Sequence, residues 1–160
     1  MGANELEIVN IRLIKEPSLY SEELLTTPEA VLRLMSKELS TYDREVLCVL
    51  NMKTNNQVIN MNVVSVGSLN AGLVTPREVF KSSILSNAAS IIAIHNHPSS
   101  NTQPSREDFR VTERLAKCGD LLGIELLDHI IIAGETGQMY SFKQEGKLGK
   151  NGRVNDDLCR

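Results

Sequence analysis

Three short apolar runs set most of what this chain can become: residues 46–52 (VLCVLNM), 89–95 (ASIIAIH) and 124–133 (IELLDHIIIA). Each reads as a strand, the first a central one and the second buried. The first leads through an Asn55-Asn56 turn into 57–66 (QVINMNVVSV), which returns as a second strand of a hairpin. Between the runs lie helix starts. Thr27-Pro28-Glu29 places a threonine N-cap before a proline at the first helical position. Thr75-Pro76-Arg77-Glu78 repeats this as a capping box and opens a helix to about Ser86. Ser105 then caps a helix of about seventeen residues ending near Gly123. Residues 138–142 (QMYSF) form a last strand after a Gly134–Gly137 turn, and 6–14 (LEIVNIRLI) alternates well enough to be a first one. These elements predict one α/β domain with a mixed sheet.

A chain of 160 residues fits a single domain. Its expected parts are an N-terminal strand and lead-in over 1–26, the domain proper over 27–145, and a polar, disordered tail over 146–160. Net charge is −3 and the isoelectric point about 5.6, so bulk charge does not attract a phosphate backbone. Aromatic residues are only 4%, which leaves few platforms on which bases could stack. Direct nucleic-acid binding is therefore left open only to a local basic patch. Cys48, Cys118 and Cys159 are odd in number and lack CxxC spacing, which fits a reducing compartment. The first residues carry acids and no apolar h-region, and no stretch has the length of a membrane span. The cytoplasm is the expected location.

The chemistry concentrates where the second apolar run ends, at Ile94-His95-Asn96-His97-Pro98. Residues two apart on an extended chain share a face, so both imidazoles project to one side, and Pro98 biases His97 toward that extended geometry. A loop over 96–104, with seven residues drawn from Asn, Ser, Thr and Pro, can fold back and bring Asp108 toward the two rings. Two imidazoles and one carboxylate form a three-ligand set that suits Zn²⁺ with a fourth position open to water. Such a site lowers the pKa of a coordinated water toward about 7. The same residues admit a plainer reading. Ser105 and Asp108 are also an N-cap and N3 pair, and His95 and His97 could be strand-end histidines with ordinary hydrogen-bond partners.

Beyond these, His129 in LLDHIII reads either as a third nitrogen ligand or as a locally paired strand histidine. In the second case Asp128 orients it or supports the site. Glu45 abuts the first apolar run, so its carboxylate reads either as a solvated charge beside Asp43 and Arg44 or as a partly desolvated proton acceptor. GxSxG, HExxH, P-loop and GxGxxG patterns are missing, as is the HxE with PCxxC signature of zinc deaminases.

The string His95-Asn96-His97-Pro98, then six residues, then Ser105-Arg106-Glu107-Asp108 resembles the JAB/MPN metalloprotease motif HxHPx(6)SxxD. More closely, HNHPSSNTQPSRED followed by LLGIELLDHIIIAG resembles the RadC family, whose usual form is HNHPSGxxxPSxxD with a later LLDHIIIG. The resemblance covers about residues 5–145. Ser100 and Asn101 depart from it, standing where the family usually has Gly and often Asp. It implies a JAMM fold similar to cytidine deaminases, a mixed sheet flanked by helices. It implies His95, His97 and Asp108 as Zn²⁺ ligands, Ser105 as an oxyanion donor and Glu45 as general base. It also implies a hydrolase acting on a peptide or protein substrate. The family's DNA-repair label gives the rival expectation of a non-enzymatic factor acting through protein partners. An interaction module with a structural metal is a third reading, and exposed strands of a mixed sheet permit a homodimer.

Overall fold

The computed structural model describes residues 9, 10, 12–67, 72, 74–149 and 154. Its elements run α1 (Pro28–Leu39), β1 (Val46–Met52), β2 (Val58–Val66), α2 (Pro76–Leu85), β3 (Ser90–His97), α3 (Arg106–Leu122), β4 (Glu125–Ala133) and β5 (Met139–Ser141). The strands form one sheet in the order β2-β1-β3-β4-β5. Within it β3 and β4 run parallel through the α3 crossover, and the remaining pairs are antiparallel. The expected mixed sheet flanked by helices is what the chain forms.

Its two faces bury different helices. Leu47, Val49, Ile91 and Ala93 point toward α2 and α3, where they pack on Phe80, Val111 and Leu115. Their neighbours Cys48, Leu50, Ile92 and Ile94 point the other way, onto Val31, Met35 and Leu39 of α1. Every residue of β1 is buried, as the unbroken apolar run requires of a strand covered on both faces. The caps fall where the sequence places them, with the side chains of Thr27, Thr75 and Ser105 each accepting from a first-turn backbone N–H. Gly123 closes α3 in the left-handed region at φ 70°, a conformation glycine adopts without a Cβ penalty.

Two expectations need revision. Of the strand expected over 6–14, residues 9, 10 and 12–14 belong to no strand, and Val9 and Ile14 are 70% and 85% exposed. Alternation makes a segment suitable for a sheet face, but it does not supply a neighbour to pair with, and β2 and β5 remain the edges. Residues 6–8 and 11 lie outside the described residues. In the tail, Leu148 and Val154 pair across an isolated bridge and pack beside Phe109, Ile131 and Phe142. Residues 150–153 and 155–160 lie outside the described residues.

Cys48, on β1 and packed beneath α1, is 1% exposed, and burial pushes its thiol up to about 12. A thiol held protonated and out of solvent is a poor nucleophile. A brief iodoacetamide pulse at about pH 8, read by mass spectrometry, is expected to leave Cys48 unmodified until denaturant is added. Labelling of Cys48 in the folded protein would refute its burial.

Candidate metal centre

The site lies where β3 meets the N-terminus of α3. β3 runs two residues past the apolar stretch, because Asn96 and His97 continue the parallel ladder opposite Ile132 and Ala133. That extension puts both histidines on regular strand backbone, two residues apart and so on one face. The face is the one covered by α3, since His95 lies directly opposite Leu47, a residue of the α2–α3 core. Asp108, in the first turn of α3, projects onto the same spot.

One ligand atom from each of His95, His97 and Asp108 lies within 4.8 Å of the others. His95 Nε2 is 3.2 Å from Asp108 Oδ1 and His97 Nε2 is 3.3 Å from Asp108 Oδ2. The two Nε2 atoms are 3.0 Å apart. His95 and Asp108 are buried, and His97 remains partly open to solvent. The capping reading and the ligand reading of Asp108 turn out to be compatible. Its Oδ2 accepts from the Ser105 backbone N–H at 2.6 Å, and its own N–H donates to Ser105 Oγ at 3.1 Å. The capping box therefore aims the carboxylate at the imidazoles instead of competing with them.

Whether this set suits an ion can be judged from its protons. His97 Nδ1 lies 2.8 Å from the backbone carbonyl of Asn101, which can only accept. In the neutral ring the proton then sits on Nδ1, and Nε2 presents a lone pair to His95 and Asp108. A carboxylate and imidazole lone pairs crowded within 3.3 Å repel unless a proton or a metal ion lies among them. Donors on a tetrahedral Zn²⁺, each bonded at roughly 2.0–2.1 Å, stand about 3.3 Å apart. The residues fit a divalent ion of that kind.

Without an ion, protons on the imidazoles take the place of a metal beside Asp108. Burial alone would raise the Asp108 carboxyl, but hydrogen bonds with His95 and His97 hold it far below the usual carboxylate range. Burial works against a charged His97, yet Asp108, the Asn101 carbonyl and the charge of Glu45 outweigh it and raise its pKa. The departure at Ser100 and Asn101 leaves this contact intact. It is the Asn101 backbone that holds His97, while the Asn101 side chain accepts from Gln103 N–H to shape the loop.

Glu45 is half-buried, one residue before β1. Leu47 pairs with His95 in the antiparallel register, and continuing that register by two residues brings Glu45 opposite His97. The influence of its charge on His97 agrees with that placement. Ser105 is exposed, and its oxygen accepts from Asp108 N–H, so its hydroxyl proton is still available to a third group.

Three contributors were not evident from the sequence. Asn96 is fully buried between the two histidines, and its side chain faces away from them. Its Nδ2 donates to the Arg44 carbonyl at 3.0 Å and its Oδ1 accepts from Val46 N–H at 2.7 Å, gripping the backbone on both sides of Glu45. Gly134 N–H donates to the His97 carbonyl at 2.8 Å, and a Cβ on Gly134 would sit 2.6 Å from the Pro98 carbonyl oxygen. Only glycine lets the end of β4 approach the His97-Pro98 peptide so closely. Thr112, fully buried on α3, touches His129. His129 itself is no third ligand: its Nε2 lies 2.8 Å from His95 Nδ1, on the far side of that ring from Asp108. Asp128 does not orient the imidazole either, since its carboxylate accepts from the backbone N–H of His129 and Lys143 and from the Ser141 hydroxyl.

A mixed five-stranded sheet whose strand-end HxH meets a helix-cap aspartate defines a JAB-type α/β domain with a candidate metal site. The model of the RadC-like JAB domain matches residues 25–147, and the chain belongs to that family. A UPF0758 protein of Halalkalibacterium halodurans is 48% identical over 125 residues, covering 78% of this chain and 53% of that protein. One from Methanosarcina barkeri is 50% identical over 120 residues, covering 75% and 52%. One from Geobacillus sp. is 43% identical over 135 residues, covering 84% and 59%. The chain thus spans little more than half the length of the curated relatives it matches. Among the described residues no helix is long and apolar enough to cross a membrane.

Proposed function

We propose that this domain is a zinc-dependent hydrolase of amide bonds, a peptidase or isopeptidase acting on a peptide or protein. The observation that carries the reading is the convergence of His95 Nε2, His97 Nε2 and the Asp108 carboxylate at a site that His97 leaves open to solvent. In this reading His95, His97 and Asp108 hold Zn²⁺, which when bound supplies a Lewis acid and acidifies a water molecule. Glu45, one residue before the strand next to the ligands, accepts a proton from the attacking water and returns it to the leaving amine. The Ser105 hydroxyl, its oxygen already engaged by Asp108 N–H, donates its proton to the oxyanion that develops on the substrate carbonyl. Contacts of that kind contribute about 3–4 kcal/mol in the transition state. Asn96 keeps Glu45 in place by holding its flanking peptides.

The test uses protein purified without a histidine tag, reconstituted with zinc and offered fluorogenic peptide and Lys-ε isopeptide libraries. Cleavage is expected to depend on zinc, and Glu45→Gln is expected to lower turnover by about 10²–10⁴-fold while the ion stays bound. Absence of cleavage by the zinc-loaded wild type across both libraries, or undiminished turnover in Glu45→Gln, would overturn the proposal.

A further inference from the structure

We infer that Thr112 and His129 are positioning residues of the metal centre: a buried relay through them fixes the proton of His95 on Nδ1 and leaves Nε2 bare for an ion. The inference rests on reading His95, His97 and Asp108 as a metal centre and deepens it. The order of protons follows from one group with no freedom. The Asp108 backbone carbonyl can only accept, and Thr112 Oγ1 donates to it at 2.6 Å. A hydroxyl has one proton, so in its other contact, 2.6 Å from His129 Nδ1, the Thr112 oxygen must accept. His129 therefore carries its proton on Nδ1. Its Nε2 is then the acceptor facing His95 Nδ1 at 2.8 Å, and His95 donates to it.

The chain of donors closes on itself. It leaves one ligand at the His95 ring, passes through His129 and Thr112, and ends on the backbone of another ligand, Asp108. His95, Thr112 and His129 are all fully buried, so water does not substitute for a missing partner. The His129 ring is held flat against Phe142, with ring centroids 5.1 Å apart and planes within 9°, which fixes where its Nε2 points. Outer partners of this kind orient ligand imidazoles and raise their basicity. Here the partner of a ligand histidine is a second histidine, which acts as an acceptor only in one tautomer. Thr112 is what selects that tautomer.

The experiment measures two quantities on the full chain: Co²⁺ affinity by competition with a chelating indicator, and the protonated ring nitrogens from side-chain ¹⁵N–¹H spectra of the metal-free protein. Wild type is expected to show His129 protonated on Nδ1. Thr112→Val keeps the shape and removes the acceptor, and it is expected to lose that tautomer and to bind Co²⁺ about 10–100-fold more weakly. Thr112→Ser restores the hydroxyl and is expected to return both readouts to within about 3-fold of wild type, well inside that range. His129→Gln offers an amide oxygen near the Nε2 position and is expected to lose less affinity than His129→Phe.

Thermal melting identifies a variant that has simply unfolded, and the serine and glutamine variants keep the test decisive in that case. Wild-type His129 protonated on Nε2 would overturn the inference. So would a Thr112→Val protein that binds Co²⁺ as wild type does, or one that loses affinity with its tautomers unchanged, which marks a merely structural role. If wild type takes up no ion at all, the metal reading fails, and the metal-free spectra still decide the order of protons.

Discussion

Asp108→Asn is expected to fold and to lose its ion, falling from near-stoichiometric zinc to near zero in metal analysis of protein purified without a histidine tag. Asparagine keeps an oxygen able to accept from Ser105 N–H, the bond now formed by Asp108 Oδ2 at 2.6 Å, so the helix start survives. It removes the carboxylate charge that lies 3.2 and 3.3 Å from the two imidazoles. A deleted ligand should cost more than the about 10–100-fold typical of an outer partner. Asp108→Ala removes the acceptor for Ser105 N–H as well, a further loss of about 0.5–1.5 kcal/mol.

The metal-free protein gives an independent check through pH. The depressed Asp108 carboxyl stabilises the fold above the ordinary aspartate value of about 3.9 and loses that contribution as pH falls below it. His97, whose pKa is raised, stabilises fully below the ordinary histidine value of about 6.5 and loses its share as pH climbs through the raised one. The stability difference between metal-free wild type and Asp108→Asn should be largest between those limits and shrink on either side. Zinc retained by Asp108→Asn at wild-type stoichiometry would remove Asp108 from the ligand set.

The strands and caps were legible because their causes are local. A run such as VLCVLNM carries its burial in its own composition, and Thr27-Pro28 or Ser105-x-x-Asp108 carries a helix start in four residues. His95, His97 and Asp108 were legible for a related reason: a strand, a short loop and a helix cap leave little freedom in how they meet. The relay was not, since it depends on the parallel register that sets His129 beside Ala93 and on a helix residue seventeen positions earlier in the chain. Seen alone, a histidine between Asp128 and Ile130 in an apolar strand offers two ring nitrogens and no indication of their partners. The expected first strand over 6–14 failed for the converse reason, because alternation is local and pairing is not. In the sequence Gly134 marks a turn, but it is the close approach of Pro98 that makes glycine necessary there.

Asn96 shows the same limit most sharply, because between two histidines it reads as a spacer. Asn96→Ala is expected to be among the most destabilising single substitutions in the domain, by about 2–4 kcal/mol in chemical denaturation. It removes two hydrogen bonds at once: leaving a buried polar group unpaired costs about 1–3 kcal/mol, and losing a bond at a more exposed group about 0.5–1.5 kcal/mol. Val46 N–H loses an acceptor in the fully buried first residue of β1, and the Arg44 carbonyl loses its donor. Asn96→Asp separates the two. A carboxylate can still accept from Val46 N–H, but it sets an oxygen against the Arg44 carbonyl and carries a charge into a fully buried position. It should therefore destabilise no less than alanine despite matching asparagine in shape. Because the clamp spans the peptides on either side of Glu45, loss of Asn96 should also free that carboxylate from its register with His97. In zinc-loaded protein the proposed function then predicts a fall in turnover larger than any fall in zinc affinity, since His95 and His97 remain on the β3–β4 ladder. An Asn96→Ala protein with wild-type stability would show that the flanking strands alone hold Glu45, and the carboxamide would then be a passenger between the two histidines.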